Sequence, residues 1–271
     1  MTGAQIARKV IGDVIESTLG VAYISGGIEA ALKTAMQLGV HVGGSVPWPL
    51  RPSAIEASSR TSDDVRTSAH DAFEKAIGYR FKNLALLKRA LTHRSARDFR
   101  QHDDCYEREE FLGDALVEMF ATDAIFAKFP NAHAGFITKA RQMMIPNSGL
   151  TWLGFRVFPF HTLVTVASAD LFYAMRAASE EAAKLAPLRF FRDLTWRFDP
   201  PKICGDIVEA VTGAIFVDSG CRLDPDSPCW QFCRRMYADV LPHLSFKILR
   251  DDVSVTTMRL QARGCATPFF K

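Results

Sequence analysis

No stretch of this 271-residue chain approaches the roughly 20 consecutive apolar residues that a membrane-spanning helix needs. The first residues, MTGAQIARKVIGDVIE, carry Asp and Glu inside their apolar pattern, so they read as neither a signal peptide nor a span. The six cysteines (Cys105, Cys204, Cys221, Cys229, Cys233, Cys265) contain no Cys-x-x-Cys pair, and they read as reduced structural thiols. Cys229 and Cys233 lie one helical turn apart and can share a face. Neither sign of charge dominates: 33 basic against 30 acidic residues leave +3, too little to argue a polyanionic partner alone. Strand signals are also scarce. The runs VSVTT, FRVFPF and LVTV are short and read as unpaired. These absences point to an intracellular protein of the cytoplasm or nucleus, and its fold class is all-α.

Enough apolar residues are present for a real core, at 48% hydrophobic and 23% charged. Apolar positions recur three and four apart over residues 4–38, with a break at Gly26-Gly27 and an end at Gly39. Residues 41–67, rich in Gly, Pro, Ser and Thr, read as a linker, with Trp48 a candidate pin to a surface. Ser68 is the expected N-cap of the next helix. FKNLALLKRALTHRS reads as a short helix. REEFLGDALVEMFATDAIFAKF reads as a long one, apolar all round and therefore central. One or two helices are expected over 136–155, divided near Pro146, and an amphipathic stretch over 168–197. Pro200-Pro201 should start a helix at Lys202, and 228–247 is the last expected helix. The core is expected from the helices at 111–126 and 203–217.

One segment occurs twice. KVIGDVIESTLGVAYISGG (9–27) and KICGDIVEAVTGAIFVDSG (202–220) align without gaps, pairing Asp13 with Asp206 and Glu16 with Glu209. Only the second copy is preceded by EREEFLGDALVE (107–118), where Glu110 and Asp114 are four apart. Asp206 and Glu209 are three apart, so each pair shares one helix face. A single acid pair at such spacing is ordinarily a solvated face. Two pairs set among apolar neighbours are costly to bury unless paired or bound to metal. Gly113 and Gly213 allow the two helices a close approach. Oxygen ligands of this kind suit Mg²⁺ or Mn²⁺, and two such ions are a recognised device for phosphodiester hydrolysis. A di-iron carboxylate bundle uses Glu-x-x-His, which is missing beside these helices.

EREEFLGDALVE resembles the signature helix of the ribonuclease III family, and KICGDIVEAVTGAIFVDSG its second acidic motif. AIGYRFKNLALLKRALTHRSA (76–96) is similar to the family's N-terminal stretch, and FITKARQMMIPNSGLTWLG (136–154) to its middle helices. The doubled segment and the long stretch between Asp114 and Asp206 look Dicer-like, of the fungal type. The resemblance implies four metal-binding and catalytic acids, Glu110, Asp114, Asp206 and Glu209. It places Glu107 nearer a dimer contact than the metal. Glu109 departs from the family's usual apolar residue, which bears on local packing. The resemblance also divides the chain. Residues 1–40 are the end of a first ribonuclease III domain, 68–250 a complete one, and 251–271 the start of a double-stranded-RNA-binding domain.

The implied function is metal-dependent endonucleolytic cleavage of double-stranded RNA, of the RNA-silencing type. The alternative is a non-catalytic module that binds RNA or protein. A second ribonuclease III domain is the expected partner, within a longer chain or by homodimerisation. Arg80, Lys82, Lys88, Arg89, His93, Arg94, Arg97 and Arg100 form a basic stretch able to track phosphates. Arg89, His93, Arg94, Lys139 and Arg141 are the candidate RNA contacts. FRVFPF reads as core or dimer contact. Lys202 recurs as Lys9 and suits either a phosphate or a helix cap. Asp13 and Glu16, without a partner helix, are expected to be inert.

Overall fold

The computed structural model describes residues 8–40, 65–96, 105–187, 190–191 and 198–245. The expected features at residues 41–64, with Trp48, at Arg97 and Arg100, at VSVTT and over 251–271 lie outside these. Among the described residues the chain is helical, and the only β pairing is one isolated bridge. No described helix is long and apolar enough to cross a membrane.

The first helix, α1, covers Arg8–Gln37 and is interrupted where expected, with Gly27 at φ 70°. It closes at Gly39 (φ 71°), where Val40 N–H donates to Ala35 O at 2.9 Å. The next helix, α2 (Ser68–Ile77), is capped by Thr67 rather than Ser68. The Thr67 hydroxyl accepts from His70 N–H, while the His70 ring accepts from Thr67 N–H at 3.2 Å. A reciprocal pair of this kind holds two end groups, so it outcompetes a serine one place along. Asn83 caps the short α3 (Leu84–Ala90).

Two helices make the centre, and they share the molecule's most extensive helix contact: α4 (Glu107–Lys128) and α8 (Lys202–Asp218). All of α8 is buried except Lys202 and Glu209. The expectation that α4 is central and covered all round is corrected. Phe111, Ala115 and Phe126 form an exposed stripe, four and then eleven residues apart, while Leu116, Val117, Phe120 and Ile125 face inward. The close approach of α4 and α8 rests on two glycines. A Cβ at Gly113 would overlap the Glu209 carbonyl, and one at Gly213 the Glu109 carbonyl.

Around this pair lie α5 (Ala134–Met144) and α6 (Asn147–Val157), divided at Pro146, then α7 (Ala169–Ala182) and α9 (Pro228–Tyr237). The FRVFPF run is core: Phe155 stacks on Phe160 at 4.2 Å and Phe158 meets Phe73 edge-on at 5.1 Å. The last helix is shorter than expected, because the chain turns into a 3₁₀ turn at Leu241–His243. Pro242 has no N–H to continue an α-helical ladder. The LVTV run is not unpaired. Thr165 bridges Thr92, donating N–H to Leu91 O and accepting from His93 N–H, each at 2.9 Å. Cys229 and Cys233 share a fully buried face, and none of the five described cysteines is in a disulfide.

Two buried carboxylates hold the N-terminal elements in place. Asp218 accepts from the Tyr79 hydroxyl (2.7 Å), Lys82 N–H (2.7 Å) and Asn83 N–H (2.9 Å). Glu74 accepts from Phe81 N–H at 2.8 Å and pairs with Arg66. Both satisfy the rule that a buried charge needs partners.

Candidate active site

The two acid pairs meet across the α4–α8 contact. Ligand oxygens of Glu110, Asp206 and Glu209 all lie within 4.8 Å of one another. They line a cavity of about 860 Å³. Asp114, one turn beyond Glu110, lines the same cavity but stands outside that group of three.

The electrostatics match crowded carboxylates. Burial, followed by the charges of Asp114 and Asp206, pushes Glu209 up to about 8. Burial also raises Glu110; the Lys202 hydrogen bond works against it, and the charge of Asp206 adds to the rise. Lys202 Nζ bridges the pairs, 3.1 Å from Glu110 Oε1 and 2.6 Å from Asp206 Oδ1. Burial disfavours its ammonium, but hydrogen bonds to Asp206 and Glu110 outweigh that and raise its pKa. The other oxygen, Asp206 Oδ2, accepts from the Tyr106 hydroxyl at 3.1 Å. Asn147, at the start of α6, accepts from Gly205 N–H at 3.1 Å and so pins the turn that carries Asp206.

The remaining candidates separate. His93 and Arg94 line the cavity with Glu107, and Arg94 lies 3.6 Å from Glu107. His93 Nδ1 pairs with the Ser95 hydroxyl at 2.7 Å, and its pKa is lowered by burial and then by Arg94. Arg89, expected on an RNA-facing stretch, is turned inward onto Glu109, with Nε 3.1 Å from Oε1. That ion pair is how the fold accommodates an acid at this buried position. Lys139 and Arg141 sit on α5 and do not line the acid cavity. Arg141 instead lines a groove of about 1050 Å³ between α1 and α4. There the Tyr23 hydroxyl donates to Asp123 at 3.3 Å. Asp13 and Glu16 are exposed on α1, and neither belongs to the carboxylate cluster found among the described residues.

Of two further contributors, the sequence singled out Lys202 without settling its role and missed Tyr106. Lys202 carried a signal, its recurrence as Lys9 and its place one turn before Asp206. Tyr106 carried none, because its partner is 100 residues away.

Residues 107–220 match the Ribonuclease III domain, and this part of the chain belongs to that family. Over most of its length the chain is similar to Dicer proteins. It is 34% identical over 221 residues to Endoribonuclease Dicer homolog 4 of Oryza sativa subsp. japonica, covering 80% of this chain and 13% of that protein. It is 28% identical over 227 residues to Protein Dicer of Schizosaccharomyces pombe, covering 81% and 16%. The chain thus spans well under a fifth of the length of these relatives. Among solved structures, the nuclease domain of ribonuclease III from Campylobacter jejuni superposes with TM-score 0.48 at 21% identity, over 66% of this chain and 100% of that one.

Proposed function

We propose that this chain is a metal-dependent endoribonuclease that hydrolyses double-stranded RNA. The observation that carries the reading is the convergence of Glu110, Asp206 and Glu209 within 4.8 Å in an open cavity. The donor set fits a divalent cation: three carboxylates with oxygen ligands, one of them held neutral at ordinary pH unless positive charge arrives. Glu110, Asp206 and Glu209 would hold Mg²⁺ or Mn²⁺, with Asp114 beside them. Bound there, the metal supplies an activated water and charge stabilisation for in-line attack on a phosphodiester.

The chain's own residues do the rest. Lys202 keeps a positive charge at the mouth of the acid group, where a scissile phosphate needs it. His93 and Arg94 stand on the rim, where backbone phosphates and 2′-hydroxyls of A-form RNA can be met without reading sequence. Phe111 is 83% exposed on the same rim and is offered as the contact for a second ribonuclease III domain. Each such domain cuts one strand.

The test is cleavage of a long RNA duplex with and without Mg²⁺. Asp206→Asn and Asp114→Asn are expected to lose at least about 100-fold in rate while keeping their far-UV circular dichroism, as loss of preorganised charge stabilisation requires. Mg²⁺-dependent cleavage at the parent rate by both variants would overturn the assignment of these acids, and a parent chain that binds the duplex without cutting it would leave a binding module.

A further inference from the structure

We propose that Tyr106 is a positioning residue of the acid centre: its hydroxyl fixes the plane of the Asp206 carboxylate, and with it the direction in which Oδ1 presents itself to a cation. This rests on the reading that the carboxylates bind a divalent metal.

Three hydrogen bonds make Tyr106 the joint between the two acid-bearing helices. Its backbone N–H donates to Thr92 O at 3.0 Å, and Thr92 is itself tied to Thr165. Its carbonyl accepts from Glu110 N–H at 2.8 Å, opening α4 at the residue that carries the first acid. Its hydroxyl reaches across to Asp206 Oδ2 on α8. One residue therefore sets the backbone of Glu110 and the side chain of Asp206 together. The ring is 5% exposed and packs against His93 at 5.7 Å, so the donor cannot swing away.

The effect on Asp206 follows from its torsions. The terminal torsion of an aspartate is broad, so an unheld carboxylate samples many planes. Here Oδ2 is held by a rigid donor, and Oδ1 shares the Lys202 ammonium with Glu110 Oε1. Hydrogen bonds behind metal-ligating carboxylates typically govern metal affinity by 10–100-fold. Tyr106 stands in the wall of the acid cavity, but it is almost wholly buried and its hydroxyl is engaged by Asp206, so it acts through that carboxylate.

The test uses the full chain without RNA, with Mn²⁺ binding read by electron paramagnetic resonance of the free ion. Tyr106→Phe is expected to weaken Mn²⁺ binding by about tenfold, with saturating Mn²⁺ restoring cleavage. In an Asp206→Asn background the same change is expected to move the residual affinity by less than about twofold, because the group it orients is gone. Parent affinity in Tyr106→Phe, or equal weakening in both backgrounds, overturns the proposal. Parent affinity in Asp206→Asn overturns the metal-site reading beneath it. 3-Fluorotyrosine at position 106 keeps ring and hydroxyl. Its fluorine resonance is expected to shift on Mg²⁺ addition in the parent and not in Asp206→Asn, and a resonance indifferent to Mg²⁺ in the parent also overturns the proposal.

Discussion

At the scale of single residues, Glu209 makes the acid centre visible to a stability measurement. In the unfolded chain a glutamate titrates near 4.5; in the fold Glu209 is pushed up to about 8. Between those values the folded chain keeps a proton that the unfolded chain has released. Stability from this group is therefore complete below the lower value and declines as pH rises through the higher one. In EDTA, the melting temperature is expected to fall between about pH 5 and pH 8 more steeply in the parent than in Glu209→Gln. Mg²⁺ at pH 8 is expected to recover the loss in the parent only, since a metal binds the ionised carboxylate. Parallel pH profiles would remove Glu209 from the crowded cluster. Helical periodicity put Asp206 and Glu209 on one face, and the ribonuclease III resemblance set Glu110 with them; the structure brings the three together. Tyr106 and the inward turn of Arg89 were not legible in the sequence. Both depend on tertiary partners, Asp206 and Glu109, that no local pattern selects.

At the scale of elements, the doubled segment is its own control. Gly213 in α8 and Gly20 in α1 occupy equivalent places in the repeat. At Gly213 an added Cβ meets the Glu109 carbonyl, whereas at Gly20 nothing lies within 4 Å. Gly213→Ala is expected to force α4 and α8 apart and cost ~3 kcal/mol or more, with Gly113→Ala doing the same. For a chain of this size that is a drop in melting temperature of roughly 6–12 °C. Gly20→Ala meets no obstacle and gains helix propensity, about 1 kcal/mol within α1. Differential scanning calorimetry of the three variants checks the opposed signs; destabilisation by Gly20→Ala would show that α1 is covered along this face. Helix positions were readable to within a residue or two wherever Gly, Pro or a cap marks the boundary, as at Gly39, Pro146 and Pro201. The exposed stripe of α4 was not readable. Apolar residues on both sides of a helix do not say which side the rest of the molecule covers.

At the scale of the whole molecule, the described chain presents one acid centre, so cutting both strands of a duplex requires two copies or a second domain. Phe111 is the natural point of contact. It is the most exposed large apolar side chain among the described residues and lies at the mouth of the acid cavity. We propose it as the contact because, with Ala115, it gives a partner an exposed apolar stripe to cover. Ala115, on the same stripe one turn along, is small enough to let a partner helix approach. Sedimentation equilibrium is expected to show a reversible dimer at micromolar concentration, and Phe111→Asp to shift it to monomer with little change in melting temperature, because the side chain contributes nothing to the core. The nuclease consequence follows from stoichiometry. Diluted below its dimerisation constant, or carrying Phe111→Asp, the chain is expected to lose paired cuts in a duplex before it loses single-strand nicks. A parent chain that stays monomeric at high concentration and still makes paired cuts would break the link between Phe111 and pairing. It would place the second cut in a separate encounter with the duplex.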